Sequence, residues 1–399
     1  MLPTHQLEKY ADVLLWGMQT ARKPGFHAQD IVLLRYDYPA RVLAEVLFEK
    51  LISQGLHPVH RLSGSPTMER ALFSTGNNQQ ITFIPPGEEE LMHHLNGCIS
   101  LLAPESLTHL QDIDPECIGS SVLSRKKLRD ILDQRENQGL FGWTLGLLAT
   151  PELAKNAGVD EQAYWDQIVR ACYLDHPEPV GKWQEIYEQA QEIKTILNSL
   201  DIDQLHIQSP GCDLIVTPGQ MRQWVGVSGH NIPSFELFTS PDWRGTQGVY
   251  FMNQPTYRSG NLVTNLRLEF KQGRVCSVTA EQGEDFVRKQ LQLDQNADKI
   301  GEFSLTDKRF SRIDTFMAHT LFDENFGGDF GNCHIALGAS YAETYAPGAG
   351  QLTDKIKSSL GFNDSALHWD LVNIEPKLVT AKLGSGQTQT LYEDGIFTL

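Results

Sequence analysis

The chain has little of what a nucleotide-, nucleic-acid- or membrane-binding protein needs. No G-x-G-x-x-G follows the first strand-like segment, and no G-x-x-x-x-G-K-[ST] occurs in its 399 residues. The loops that cradle phosphates are therefore missing. Gly384-Ser385-Gly386 has no third glycine and reads as a turn. A G-x-S-x-G nucleophile elbow is absent as well. Basic residues are sparse: the formal charge is −17, and the densest patch, Arg125-Lys126-Lys127 with Arg129, reads as a solvated helix face. That argues against nucleic acid, whose phosphates require clustered Lys and Arg. The acidity favours solubility and leaves room for cationic substrates. The six cysteines are scattered with no C-x-x-C pair, which fits reduced thiols in the cytoplasm better than a disulfide framework or a zinc finger. No run is long enough to span a bilayer, and the N-terminal segment has neither the basic nor the apolar region of a signal peptide. These absences exclude partners rather than name one.

What is present is an ordinary globular composition, 40% hydrophobic and 21% charged, on a chain long enough for two cores. Tyr10, Val13, Leu14 and Met18 recur at helical spacing between Leu7 and Ala21. Ile31 to Tyr36 reads as a buried strand, Ala40 to Leu51 as a helix, and His57 to Leu62 as the next strand. Such an order predicts a βαβ unit with a parallel sheet. Ile81–Ile84 and Gly97–Leu102 read as further strands. A long polar helix from Gly181 to Leu200 leads into strand-rich sequence, with a hairpin turn at Lys271-Gln272-Gly273. The expectation is an α/β fold: an N-terminal α/β domain with a largely parallel sheet (1–195), then a strand-rich α+β catalytic domain (196–399).

Four segments of the second half carry chemistry. In Asn363–Asp370 a His-x-Asp pair precedes an apolar run. Residues two apart in a strand share a face, so His368 and Asp370 would converge as two metal ligands. A structural His–Asp hydrogen bond explains the pair equally well. Glu236 stands among Phe235, Leu237 and Phe238, and Glu302 among Ile300, Phe303 and Leu305, with Gly301 allowing close backbone approach. An apolar setting is costly for an acid without a partner, although each has a plain reading as a solvated residue. A glycine-rich stretch then leads to His334, with Tyr341 seven residues on. Together they offer at least two carboxylates from separate loops, two histidines and a further aspartate. That exceeds what one tetrahedral zinc needs and suits two divalent ions sharing a carboxylate, the arrangement of a hydrolase.

The motifs N-I-P-S-F-E-L-F-T-S-P, I-G-E, D-E-N, H-I-A-L-G-x-x-Y and N-D-S-x-x-H-x-D, in that order over residues 231–370, resemble the thermophilic aminopeptidase family of dinuclear metallo-aminopeptidases. The resemblance implies metal ligands at Glu236, Glu302, His334, His368 and Asp370, with Glu302 bridging. It implies a further ligand at Glu324, and at Tyr341 a phenol suited to the tetrahedral oxyanion. Phe235 stands in place of a glycine, and the segment from Asn325 to His334 is longer than the family's compact form. The function implied is removal of N-terminal residues from peptides, with two divalent ions (zinc, cobalt or manganese) per chain, in a cytoplasmic homodimer. Two alternatives stay open: a dinuclear amidase or deacylase for a non-peptide substrate, and a non-catalytic binding or assembly protein on the same fold.

Overall fold

The computed structural model describes residues 2–22 and 25–399. The chain forms two compact units, Met1–Trp183 with Ser228–Pro233, and Gln184–Val227 with Ser234–Leu399. None of the described helices is long and apolar enough to cross a membrane.

In the first unit an all-parallel sheet runs in the order His57–Leu62, Ile31–Tyr36, Gly97–Leu102, Gly142–Leu147, Asn231–Ile232. Its inner strand Gly97–Leu102 is buried almost throughout, as a parallel strand covered on both faces must be. The helix Thr4–Ala21 buries Tyr10, Leu14 and Met18 completely, spaced to fall on one face. The Tyr10 hydroxyl donates to Leu147 O (3.0 Å) and accepts from Leu147 N (3.1 Å), which pins that helix to a strand end. One expected strand is not formed. Asn78–Ile81 is a short helix, because Asn77 and Gln80 close a capping box around its first turn. Local side-chain hydrogen bonding there outcompetes the β-tendency of Ile81-Thr82-Phe83-Ile84.

The second unit holds two main antiparallel sheets and a two-stranded one, Thr256–Arg258 with Asn261–Val263. The larger runs Arg274–Thr279, Leu266–Lys271, Asp242–Met252, Asp213–Thr217, Ile202–Gln208, Leu378–Leu383, Thr388–Glu393, Ile396–Phe397. Gln272 (φ 52°) and Gly273 (φ 78°) both sit in the left-handed region, as a two-residue hairpin turn requires. The smaller sheet is ordered His368–Asn373, Asn332–Gly338, Ile300–Thr306, Glu236–Thr239. One of its faces carries Leu237, Phe303, Leu305, Ile335, Leu337 and Leu371, all at 0% exposure. Each such side chain contributes about 1.5–3 kcal/mol on burial, so the backbone behind the opposite face is firmly held. Tyr250, on the larger sheet, ties the two sheets together by donating to Cys333 O (3.1 Å) and Leu371 O (2.6 Å).

Candidate metal centre

Period-two alternation puts the polar partners of those apolar residues on the other face of the small sheet. The register pairs Thr306 with Glu236, Ser304 with Phe238 and with His334, Ala336 with both Glu302 and Asp370, and Gly338 with His368. Opposed residues in an antiparallel sheet share a face. Glu236, Glu302, His334, His368 and Asp370 therefore rise from four adjacent strands toward one place. Glu236 and Glu302 thus come from strands, not from separate loops. Gly301 is what lets Glu302 into the ladder. A bulge falls between Ile300 and Glu302, and a Cβ at Gly301 would lie 2.2 Å from Ala339 O and 2.4 Å from Gly338 O.

Glu236, Glu302 and His334 are all buried and offer ligand atoms within 4.8 Å of one another. His334 Nε2 lies 3.1 Å from Glu236 Oε2 and 3.0 Å from Glu302 Oε1. The other oxygen of Glu302, Oε2, is 3.8 Å from His368 Nε2, which is 3.3 Å from Asp370 Oδ1. One carboxylate thus presents a different oxygen to each of two imidazoles. His368 donates Nδ1–H to Ala339 O (3.0 Å), and this leaves Nε2 as the nitrogen turned toward the acids. Ser304 donates to Glu236 Oε2 (3.2 Å).

Glu324 follows the short helix Thr320–Asp323 and is buried near Glu236, Asp370 and Glu302. Tyr341 is 43% exposed, yet its ring packs 4.7 Å from that of His368 and 5.6 Å from that of Phe238. Its backbone N–H donates to Ser240 Oγ (2.8 Å). The structure brings all seven expected residues to one basin.

Charge in that basin is poorly balanced. Burial, eased by the His334 hydrogen bond and aggravated by Glu236, pushes Glu302 up to about 7. Burial and the charges of Glu236 and Asp370 hold Glu324 well above the carboxylate range. Burial opposes a charge on His334, but its hydrogen bonds to Glu236 and Glu302 outweigh this and raise it well above 6.5. For the same reason His368 rises to about 9 beside Asp370, and Asp370, despite burial, falls to about 2. Partial burial and the surrounding acids push the Tyr341 phenol up, so it stays a proton donor. Each imidazole therefore favours a positive charge between its Nε2 and the carboxylates. A proton fills that role, and a divalent cation fits the same position and the same oxygen and imidazole donors. The residues present suit metal.

Three supporting residues went unnoticed in the sequence. Asn325, fully buried, donates through Nδ2 to Leu321 O (3.0 Å) and Glu324 Oε1 (3.4 Å), and its Oδ1 accepts the N–H of Phe235. It ties the loop acid to the strand that carries Glu236. Asp323, pushed up to about 8 by burial, accepts from Met317 N (2.7 Å) and His319 N (2.9 Å). Arg258 donates to His368 O (2.8 Å) and adds positive charge near Asp370. Asn325 stands inside the D-E-N motif. Arg258 has no signal along the chain, being 110 residues from its partner.

Residues 4–397 match the family of thermophilic metalloproteases (M29). The chain belongs to that family. It is 26% identical over 392 residues to aminopeptidase PepS of Streptococcus thermophilus, covering 92% of this chain and 91% of that protein. To aminopeptidase T of Thermus thermophilus it is 27% identical over 308 residues, 72% of this chain and 71% of that one. The solved structure of wild-type AmpT from Thermus thermophilus superposes with a TM-score of 0.81 over 99% of each chain at 21% identity. That likeness shows a shared fold. As a family member the chain is a metalloprotease by descent, and the metal-compatible basin lies on the sheet just described.

Proposed function

We propose that this protein is a metal-dependent aminopeptidase that releases N-terminal residues from peptides at a site for two divalent ions. One observation carries the reading: Glu302 turns Oε1 to His334 at 3.0 Å and Oε2 to His368 at 3.8 Å inside a buried four-acid basin. Glu236, Glu302 and His334 would hold one ion, and Glu302, His368 and Asp370 the second, with Glu302 bridging and Glu324 as a further ligand. When bound, zinc, cobalt or manganese ions acidify a water and polarise the scissile carbonyl. The chain's own residues do the rest. Tyr341, held protonated at the rim, donates to the oxygen on which charge develops. With metal bound Glu324 would be ionised, and the oxygen not engaged by Asn325 Nδ2 would be placed to take a proton from the attacking water and pass it to the leaving amine. The lone pair of a free α-amine can join the donors of the basin, whereas an acylated N-terminus has none to offer.

Six free thiols support a cytoplasmic setting, and the family resemblance supports a homodimer. The test is hydrolysis of aminoacyl-p-nitroanilides by metal-stripped protein, alone and with Zn²⁺, Co²⁺ or Mn²⁺. The reading requires metal-restored cleavage of unblocked substrates and none of their N-acetyl counterparts. No cleavage with any of the three ions would overturn it.

A further inference from the structure

A second set of side chains with the ingredients of acyl transfer belongs to the first unit and shares no residue with the basin. Ser228 Oγ is 2.7 Å from His230 Nδ1, and His230 Nε2 is 2.7 Å from Glu136 Oε1. The other carboxylate oxygen, Oε2, accepts from the Trp143 indole N–H at 3.3 Å, and the Trp143 ring lies 4.5 Å from the imidazole. With both Glu136 oxygens accepting, Nε2 carries the histidine proton and Nδ1 turns its lone pair to the Ser228 hydroxyl. Hydroxyl, imidazole and carboxylate thus stand in the order of a serine nucleophile, its base and the group that orients the base. The two ring nitrogens are exchanged relative to the serine proteases, but either can serve as donor or as base.

The backbone around the serine suits the same chemistry. Its loop is fastened without help from these side chains: Thr144 Oγ1 donates to Gly229 O (2.8 Å) and Leu145 N–H to His230 O (2.8 Å). Gly229 (φ 90°) packs so closely on the helix Thr4–Ala21 that a Cβ there would lie 2.4 Å from Gly17 O. Its own N–H, on the residue after the serine, donates to no group among the described residues. That is the position from which serine hydrolases supply an oxyanion donor. The side chains of His230 and Glu136 are 17% and 28% exposed, and Ser228 is half-buried, so water and small acyl donors reach the set.

We infer that Ser228, His230 and Glu136 form a second hydrolytic site, which takes the acyl group of small activated esters such as aryl acetates. Ser228 Oγ bonds to the ester carbonyl carbon while its proton moves to His230 Nδ1. The C–O bond to the leaving phenolate then breaks, and the imidazole returns that proton to give the phenol. Water, losing a proton to the same nitrogen, hydrolyses the acyl-serine and restores the hydroxyl. Glu136 orients the imidazole and stabilises its transient positive charge. No motif marks the set along the chain, because Glu136 and His230 are 94 residues apart.

A fluorophosphonate traps such a serine: an O–P bond forms, the P–F bond breaks, and fluoride leaves with the serine proton. Metal-loaded wild type should carry an adduct on the peptide containing Ser228, located by mass spectrometry, and Ser228→Ala should carry none there. The labelling rate at Ser228 should fall roughly a hundredfold in His230→Gln, the scale for loss of a general base. Glu136→Gln keeps the side-chain shape and should slow labelling too, so it serves if the His230 variant does not fold. A fall of at least about tenfold in a folded variant carries the assignment on that scale. A smaller fall, or no adduct at Ser228 in wild type, overturns it. Turnover is read with p-nitrophenyl acetate in a Glu302→Gln background, where the basin is disabled. Adding Ser228→Ala there should lower the rate at least about tenfold, and a smaller effect overturns the hydrolytic role. Metal-loaded Ser228→Ala should hydrolyse leucyl-p-nitroanilide as wild type does, whereas a parallel loss would overturn the independence of the two sites.

Discussion

Replacing Glu302 with Gln separates the metal role of this residue from its place in the fold. The side chain is 3% exposed, with one oxygen 3.0 Å from His334 Nε2 and the other 3.8 Å from His368 Nε2. Glutamine has the same volume, so no cavity forms. Burial raises the carboxyl from its ordinary 4.5 to about 7. The folded state thus holds this proton more tightly than the unfolded chain does. The ionised acid accordingly destabilises the fold increasingly between about pH 4.5 and 7, and by about 3 kcal/mol above that range. That figure is already net of the His334 hydrogen bond, and the neutral amide of the variant escapes it. Metal-stripped Glu302→Gln should therefore fold at pH 8 and unfold at a urea midpoint no lower than that of metal-stripped wild type.

Metal is where the two proteins part. Each ion bound only to the folded state at a hundredfold excess over its Kd adds about 2.7 kcal/mol. On the proposed two-ion reading, wild type should gain up to twice that on adding Zn²⁺ or Co²⁺, whereas Glu302→Gln should gain almost nothing, because one substitution would remove an anionic ligand from both ions. Peptidase activity should drop at least about a thousandfold, as when a reacting centre is dismantled. Two results would refute the reasoning: activity within about tenfold of wild type, or a metal-induced shift of the urea midpoint equal to that of wild type.

Tyr341→Phe should lower kcat by roughly 10²–10³ with metal content unchanged, the scale for one oxyanion donor; metal loss measured by atomic emission would make the phenol a ligand instead. The stability of metal-stripped protein should fall as pH rises from about 5 to 9. Glu302 and Asp323 with pKa values raised to about 7 and about 8 lose their protons over that range, and His368, raised to about 9, gives up its ion pair. Urea titrations at several pH values check this, and saturating divalent ion should flatten the curve. Gly301→Ala forces a methyl against Ala339 O, 2.2 Å from the ideal Cβ position. A loss of about 1–3 kcal/mol is expected, with weaker metal binding by titration calorimetry because Glu302 is the next residue.

Much of the basin was legible along the chain because strands print their geometry as a period of two. His368-x-Asp370 and Glu302-x-Ser304 alternate with Trp369 and Phe303 in the sequence, and the fold places the polar set on one face and the apolar set on the other. The strands Ile31–Tyr36, His57–Leu62 and Gly97–Leu102 are likewise where their apolar runs place them. Ile81–Ile84 misled because strand propensity is weak against a local capping box. Glu302 reads in the sequence as a solvated loop acid, while here Gly301 accommodates a bulge within a strand.

By itself, then, the sequence determined which residue types could hold a cation, the alternation that gathers them on a face, and the family to which their motifs point. Only the tertiary structure decided how that face is assembled. Strand order places Glu236, Glu302, His334 and Asp370 side by side from positions up to 134 residues apart, and nothing local encodes which strand neighbours which. Likewise the return of Ser228–Pro233 to the first unit's sheet and the Asn325 bridge to Phe235 depend on contacts between distant segments. Pairing and burial are properties of the packed chain as a whole, because backbone hydrogen bonds and desolvation depend on which surfaces meet.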